Sequence, residues 1–315
     1  MMKTVFIKDM KAGDVVEDIF VLAEKMISHK KDGNCYLSVT ISDKSGSLKG
    51  VMWDGVDEIG HTIASGDYVR LTGSISEYRG APQLVIKVLS PCDAQDVDPS
   101  DFLPSTDRDI ERMFERLRQI SNTFENIHLK SLLEAFYADA EFVNRFKTAP
   151  AAKKMHHAYL GGLLEHTLST ALLAEKTAGH YGGVDRELLI TGAVLHDIGK
   201  TRELTYSTAI DYSDEGRLLS HIVIGVLMVR EKIATLRQFP AETEQLIEHM
   251  IVSHHGSREF GSPEPPKTIE AILLNYIDEI DAKVNGVREF MESEVSGENW
   301  TPYHRLLERQ FYAKR

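Results

Sequence analysis

Nine of the chain's 13 histidines fall between His156 and His255. Histidine at that density points to metal chemistry or phosphate handling, and neutral imidazole is the commonest metal ligand. The densest point is the string AVLHDIGK, in which His196 and Asp197 are adjacent. An imidazole nitrogen beside a carboxylate oxygen suits Zn, Mn, Fe or Mg better than a soft metal. His166 lies upstream in GGLLEHT, and Asp278 lies downstream in LLNYIDEIDAK. His221 follows GRLLS, and His254 and His255 stand together in IVSHHGS. Lys200 follows the pair closely and offers a cation to a scissile phosphate; its plainer reading is a lysine at a helix end. Gly199-Lys200-Thr201 imitates the end of a phosphate-binding P-loop, but Val194 stands where that loop requires glycine, so a P-loop is excluded. Neither a GxSxG elbow nor an HExxH helix is present.

A single histidine on an apolar helix is more often a satisfied core residue than a ligand. His29, His61, His128, His180, His249 and His304 read that way. The His-Asp pair with His166 and Asp278 around it does not, because four donors in that order make a ligand set. Asp281, one helical turn past Asp278, supports the site or faces solvent. Glu165 reads as structural. His156 and His157 precede Gly161-Gly162, where a backbone without Cβ atoms can approach a phosphate. They are candidate substrate contacts, the alternative being an exposed helix-entry segment.

Two kinds of element must position these residues. Residues 1–90 alternate with the period of strands: Asp14–Ser28, Cys35–Asp43, Ser47–Trp53, Gly66–Tyr78 and Gln83–Leu89, with a turn at Lys44-Ser45-Gly46 and a short helix over Val56–Ala64. Five strands with a helix between the third and fourth give the order of an OB-fold barrel. Residues 91–107 hold three prolines and five aspartates without periodicity and read as a linker. Residues 108–315 read as an all-α domain. Its helices are expected at Arg108–Ile120 (capped by Ser105, Thr106 or Asp107), His128–Ala138, the segment around Leu163–Leu173, Arg186–His196, His221–Thr235, Ala241–Ser253 and Thr268–Met291.

The composition narrows the function. A chain of 315 residues with 42% hydrophobic residues can build two cores without disulfides. Cys35 and Cys92 form no CxxC pair, so a thiolate zinc site is excluded and a reducing, cytoplasmic setting is expected. No secretory leader and no run of about 18 apolar residues is visible, so no membrane partner is expected. The net charge is -12, but residues 1–90 hold 11 basic and 12 acidic side chains, so nearly all the acidity lies in the helical part. The β part can therefore carry a local basic face. OB-folds bind single strands by aromatic stacking and cations along the backbone. Tyr36, Trp53, Tyr68 and Tyr78 are candidates for the first role, with Tyr36 and Tyr78 preferred. Lys30, Lys31, Lys49, Arg70, Arg79 and Lys87 are candidates for the second. Trp53 and Tyr68 read equally well as barrel core.

The order His…His-Asp…Asp resembles the HD phosphohydrolase superfamily. An OB domain joined to HHAYLGGLLEHT, LHDIGK, SHHG and YIDEIDAK resembles, over nearly the whole chain, the YhaM family of bacterial 3′-5′ exoribonucleases. That resemblance implies His166, His196, Asp197 and Asp278 as core ligands and His221, His254 and His255 as ligands of a second ion, with Asp197 bridging. It implies a catalytic role for Asp197; Lys200 is taken as catalytic from its place beside the His-Asp pair, where phosphodiester cleavage needs positive charge. It implies two divalent ions, manganese first, with Fe, Mg, Ni, Co or Zn as alternatives. It also implies release of nucleoside 5′-monophosphates from single-stranded RNA, or single-stranded DNA, and self-association as a homo-oligomer. Two rivals stand beside it. One is a hydrolase of small or cyclic nucleotides with a regulatory OB domain. The other is a single-strand DNA-binding or replication protein with a structural metal.

Overall fold

A computed structural model describes residues 3–29, 35–294, 299–305 and 307–313. Internal contacts divide the chain into two units, Met1–Ser105 with Tyr206–Ile210, and Thr106–Thr205 with Asp211–Arg315.

The first unit is a closed barrel. Its strands are β1 (Val15–His29), β2 (Cys35–Asp43), β3 (Gly46–Met52), β4 (Tyr68–Tyr78) and β5 (Ala81–Pro91), in the order β1-β2-β3-β5-β4. A four-residue helix α1 (Val56–Ile59) lies between β3 and β4, shorter than the sequence suggests. Closure depends on β1: Val15–Val21 pair with β4, and Val21–His29 pair with β2. The register shift between Leu22 and Glu24 bends the strand between its two partners. On β2 the alternation is clean: Leu37, Val39 and Ile41 point inward to pack with Phe20, Leu22, Leu71 and Leu84. Burying each such side chain contributes about 1.5–3 kcal/mol.

The aspartate-rich segment after β5 is ordered against the barrel. Asp93 and Asp98 each accept a backbone N–H at the head of a short 3-10 turn, Ala94–Asp96 and Pro99–Asp101. Phe102 is buried on Tyr68, Ile19 and Val21. Single turns of this kind leave no periodicity to read, which explains why the segment resembles a linker.

The second unit is helical: α2 (Ile110–Asn122), α3 (Ile127–Tyr137), α4 (Ala140–Thr148), α5 (Gly162–Ala178), α6 (Arg186–Leu195), α7 (Lys200–Glu203), α8 (Asp214–Ile233), α9 (Ala241–Ser253) and α10 (Ile269–Ser293). The cap of α2 is Asp109, not Ser105, Thr106 or Asp107; its carboxylate accepts the Arg112 N–H. Thr106 instead donates to Glu165 at 2.6 Å, and Arg108 pairs with the same carboxylate at 2.9 Å, which makes Glu165 structural. Residues 108–315, expected to be all-α, are not purely so. Two short strands, β6 (Leu204–Tyr206) and β7 (Ile210–Tyr212), pair between α7 and α8, formed by a threonine, isoleucine and tyrosine alternation around a small-residue turn. No helix among the described residues is long and apolar enough to cross a membrane.

Candidate active site

Helix ends and helix faces bring the seven histidines and aspartates together. His166 sits on the second turn of α5, and His196 and Asp197 follow the C-terminus of α6. His254 and His255 follow the C-terminus of α9, and Asp278 lies on α10. The glycine after the His-Asp pair is required by space: a Cβ on Gly199 would lie 2.0 Å from the His221 carbonyl oxygen. α8 is broken just before His221, where Ser220 adopts φ 60° and ψ 158°. The helix restarts at His221, whose N–H and Nδ1 both meet Glu203 Oε1, at 2.8 and 3.0 Å. Glu203 caps the second half of α8 and orients its first imidazole.

Asp197 is central. Its Oδ2 lies 3.5 Å from His166 Nε2, 3.4 Å from His196 Nε2 and 2.6 Å from Lys200 Nζ. Its Oδ1 faces the other way, 3.5 Å from His221 Nε2 and 3.7 Å from His254 Nε2. Asp278 Oδ1 closes the first set, 3.3 Å from His166 Nε2 and 3.8 Å from His196 Nε2. His255 joins His221 and His254 in the second set.

Five of these imidazoles are fixed through Nδ1. His196, His254 and His255 donate Nδ1–H to the carbonyls of Ala193 (3.0 Å), Ile251 (2.7 Å) and Phe260 (2.9 Å). His221 and His166 turn Nδ1 to the carboxylates of Glu203 (3.0 Å) and Asp281 (2.8 Å). A proton on Nδ1 leaves the Nε2 lone pair free for a metal. His166 Nε2 and His196 Nε2 lie 3.2 Å apart, so a protonated His166 donates to His196, and a cation bound there would take both lone pairs instead. Asp197 Oδ1, His221 Nε2 and His254 Nε2 are buried with no hydrogen-bond partner. Orphaned buried acceptors converging on one point fit a divalent cation.

Electrostatics agree. Burial keeps His196 and His254 below the ordinary imidazole range, so both are neutral, the form in which an imidazole can bind a metal. Burial also opposes charge on His166, but Asp278 and Asp281 outweigh it and raise that ring to about 9. Burial disfavours the Asp197 anion too, yet Lys200 and then the neighbouring imidazoles hold its carboxyl well below the usual range. With the carboxyls of Asp197 and Asp278 both held below their usual range, the cluster carries anionic charge that a cation would neutralise.

Two expected substrate contacts part company. His157 is 2% exposed and bonds inward, Nε2 to Asp281 at 3.1 Å and Nδ1 to the Tyr159 hydroxyl at 2.8 Å. It serves the framework around His166 and has no face left for substrate. His156 stays half-buried, its ring centroid 6.2 Å from that of His166, and burial lowers it to about 4. Asp281 gathers His166, His157, Ser169 and Asn285, so it is an anchor and not a solvent-facing carboxylate.

On the barrel, Tyr36 lies on the outward side of β2 with its ring 5.2 Å from Trp53. Trp53 is 45% exposed, whereas Tyr68 is 3% exposed against Phe102, its hydroxyl pushed up to about 12 by burial. Tyr78 is exposed, with the Arg79 guanidinium 5.3 Å from its ring centre. Lys30 and Lys31 lie outside the described residues. A groove of about 560 Å3 crosses β1, β2 and β3, lined by Lys25, Ser38, Thr40, Lys49 and Gln83. Glu203 escaped the sequence reading, because its partner is 18 residues away.

Residues 163–283 match the HD domain family, and residues 21–91 match the OB-fold nucleic acid binding domain. The chain is 32% identical over 305 residues to the 3'-5' exoribonuclease YhaM of Bacillus subtilis (strain 168), covering 96% of each chain. It is 32% identical to the YhaM of Bacillus velezensis, again covering 96% of each. With the YhaM of Geobacillus sp. (strain WCH70) the identity is 32%, over 94% of this chain and 91% of that one. An HD domain is a metal-dependent phosphohydrolase domain, and the convergent donors described above fit a divalent metal. With an OB-fold barrel, an HD helical unit and relatives matching end to end, the chain belongs to the YhaM family of 3'-5' exoribonucleases.

Proposed function

We propose that this chain removes nucleoside 5′-monophosphates one at a time from the 3′ end of single-stranded RNA, using two divalent ions, manganese first. The observation that carries the reading is the division of Asp197: one carboxylate oxygen faces His166 and His196, and the other faces His221 and His254. A carboxylate shared by two donor sets suits a bridging ligand. His166, His196 and Asp278 would hold one ion, and His221, His254 and His255 the other. Bound divalent cations supply Lewis acidity at phosphorus and lower the pKa of water.

The chain's own residues do the rest. Asp281 and Glu203 fix the rings of His166 and His221 through Nδ1. Lys200 Nζ lies 2.6 Å from Asp197 Oδ2 and would offer its positive charge to a phosphoryl oxygen at the site. We assign strand holding to the barrel unit, with Tyr36, Trp53, Tyr78 and Arg79 on its surface, and catalysis to the helical unit. Stacking and cations hold a single strand without reading its sequence.

The test is digestion of 5′-labelled single-stranded RNA and DNA with a panel of divalent metals and with a chelator. A ladder shortening from the 3′ end with metal, fastest with manganese and absent with chelator, is expected, and the DNA arm decides polymer preference. Intact polymer with every metal would overturn the reading. Hydrolysis of free nucleotides alone would replace it with a small-nucleotide hydrolase.

A further inference from the structure

Most of the ligand cluster is sealed: His166, His196, Asp197 and His254 are buried. A cleft of about 600 Å3 opens onto it. Lys200, His221 and His255 of the cluster line this cleft, together with Lys153, Lys154 and Tyr212, for which the reaction above has no use.

The loop that carries the two lysines is held in an unfavourable conformation. Met155 and His157 have φ of 76° and 55°, in the left-handed region that non-glycine residues avoid. Such strain persists only where the surroundings impose it. Here they do: His157 is fixed by Asp281 and Tyr159 through its ring and by Glu289 through its N–H, and its carbonyl accepts the Ala151 N–H at 3.0 Å. The lysines are thereby placed at the cleft. Lys153 bonds Asp211 at 2.7 Å and lies 5.7 Å from the centre of the Tyr212 ring, which ties the loop to β7. Lys154 is exposed and has no ion-pair partner among the described residues. Tyr212 is 43% exposed. Glu203, the acid in the lining, is engaged by His221.

An exposed ring and an unspent ammonium beside a phosphodiester-cleaving centre are what a single-stranded polynucleotide requires, one for a base and one for the backbone. The volume is that of a small-ligand pocket. We propose that the cleft is a nucleotide subsite, seating one nucleotide beside the scissile phosphate with its base on Tyr212 and a phosphate oxygen at Lys154. The proposal rests on the exonuclease reading above.

Two measurements on the full chain test it. In steady-state digestion of single-stranded RNA with manganese, Tyr212→Ala should raise KM roughly tenfold while kcat falls far less, and Tyr212→Phe should restore KM. Lys154→Gln should raise KM and flatten its log–log dependence on salt by about 0.7. Wild-type KM and salt slope in both variants, or a loss that Tyr212→Phe does not restore, would overturn the subsite. The second measurement is calorimetric titration of adenosine 5′-monophosphate into wild type and Tyr212→Ala, which needs no turnover. Weaker binding to the variant supports the subsite even if wild type leaves RNA intact, in which case the exonuclease reading falls alone. Equal binding, or none to either, overturns the subsite whatever the RNA result.

Discussion

In the barrel, Lys3, Asp18 and Asp43 are buried, and each has its partners. Lys3 Nζ donates to the Ile19 carbonyl at 2.6 Å and lies 3.4 Å from the centre of the Phe20 ring. Asp43 accepts the N–H groups of Ile7 and Ser45 at 2.9 and 2.8 Å. In the helical unit, Asp197 Oδ1, His221 Nε2 and His254 Nε2 are equally buried and have none. An unpaired buried acceptor costs about 1–3 kcal/mol. Among the described residues the barrel leaves no buried side-chain polar atom unpaired, whereas the helical unit leaves six, the hydroxyls of Tyr137, Ser257 and Ser262 and three acceptors gathered where a cation would fit. The contrast separates groups that hold the fold from groups held by the fold for chemistry. The first should cost stability when removed, and the second should cost activity.

The largest expected effect is at Asp197. Asp197→Ala removes the oxygen pair that both donor sets face, so kcat on single-stranded RNA should fall on the order of a thousandfold or more. Binding of the same RNA in a gel-shift assay should stay close to wild type, because the barrel is untouched. Undiminished turnover in that variant would break the comparison at its centre. A smaller loss is expected at Asp281, which bonds His166 Nδ1 and stands outside the donors proposed for the two ions. Asp281→Ala should weaken manganese affinity by about 10–100-fold, read by calorimetric titration of the metal-free chain. Asp281→Asn, which still accepts from His166 Nδ1, should recover part of it. If both variants bind manganese as wild type does, Asp281 has no positioning role.

What local pattern could disclose, the sequence disclosed. The alternation of Leu37, Val39 and Ile41 against Tyr36 and Ser38 placed β2 and its faces, because a strand's two-residue period is written in consecutive residues. The His-Asp pair announced itself by adjacency. The misreadings share one cause, partners distant in sequence. His157 looked free because Asp281, which binds it, is 124 residues away. Trp53 and Tyr68 were indistinguishable until Phe102 covered one and Tyr36 met the other on the surface. α4 was unread because its buried residues, Phe142 and Phe146, amount to a single helical repeat. Tyr212 gave no signal at all, since β7 is three residues long.

The smallest expected effect lies in the barrel and concerns stability alone. Asp18 Oδ2 accepts from the N–H groups of Thr4 and Val5 at 2.8 and 2.7 Å, and Oδ1 accepts from the Ile19 N–H at 2.7 Å. Burial opposes its charge, but these donors and Lys3 outweigh burial and hold the carboxyl below its ordinary value of 3.8. Asp18→Ala leaves those N–H groups without an acceptor and should destabilise the barrel by about 2 kcal/mol. The loss should be read from Trp53 fluorescence during urea unfolding in a Trp300→Phe background. A depressed folded-state pKa means that the contribution is complete above the unfolded value and fades as pH falls through the folded one. Wild type and variant should therefore differ fully at pH 6 and converge below about pH 4. At a temperature where both are folded, kcat on RNA should be the same. A variant that unfolds at the wild-type urea concentration would show that this satisfied carboxylate does not stabilise the barrel, and a deficit that persists unchanged into acid would show that its charge contributes nothing.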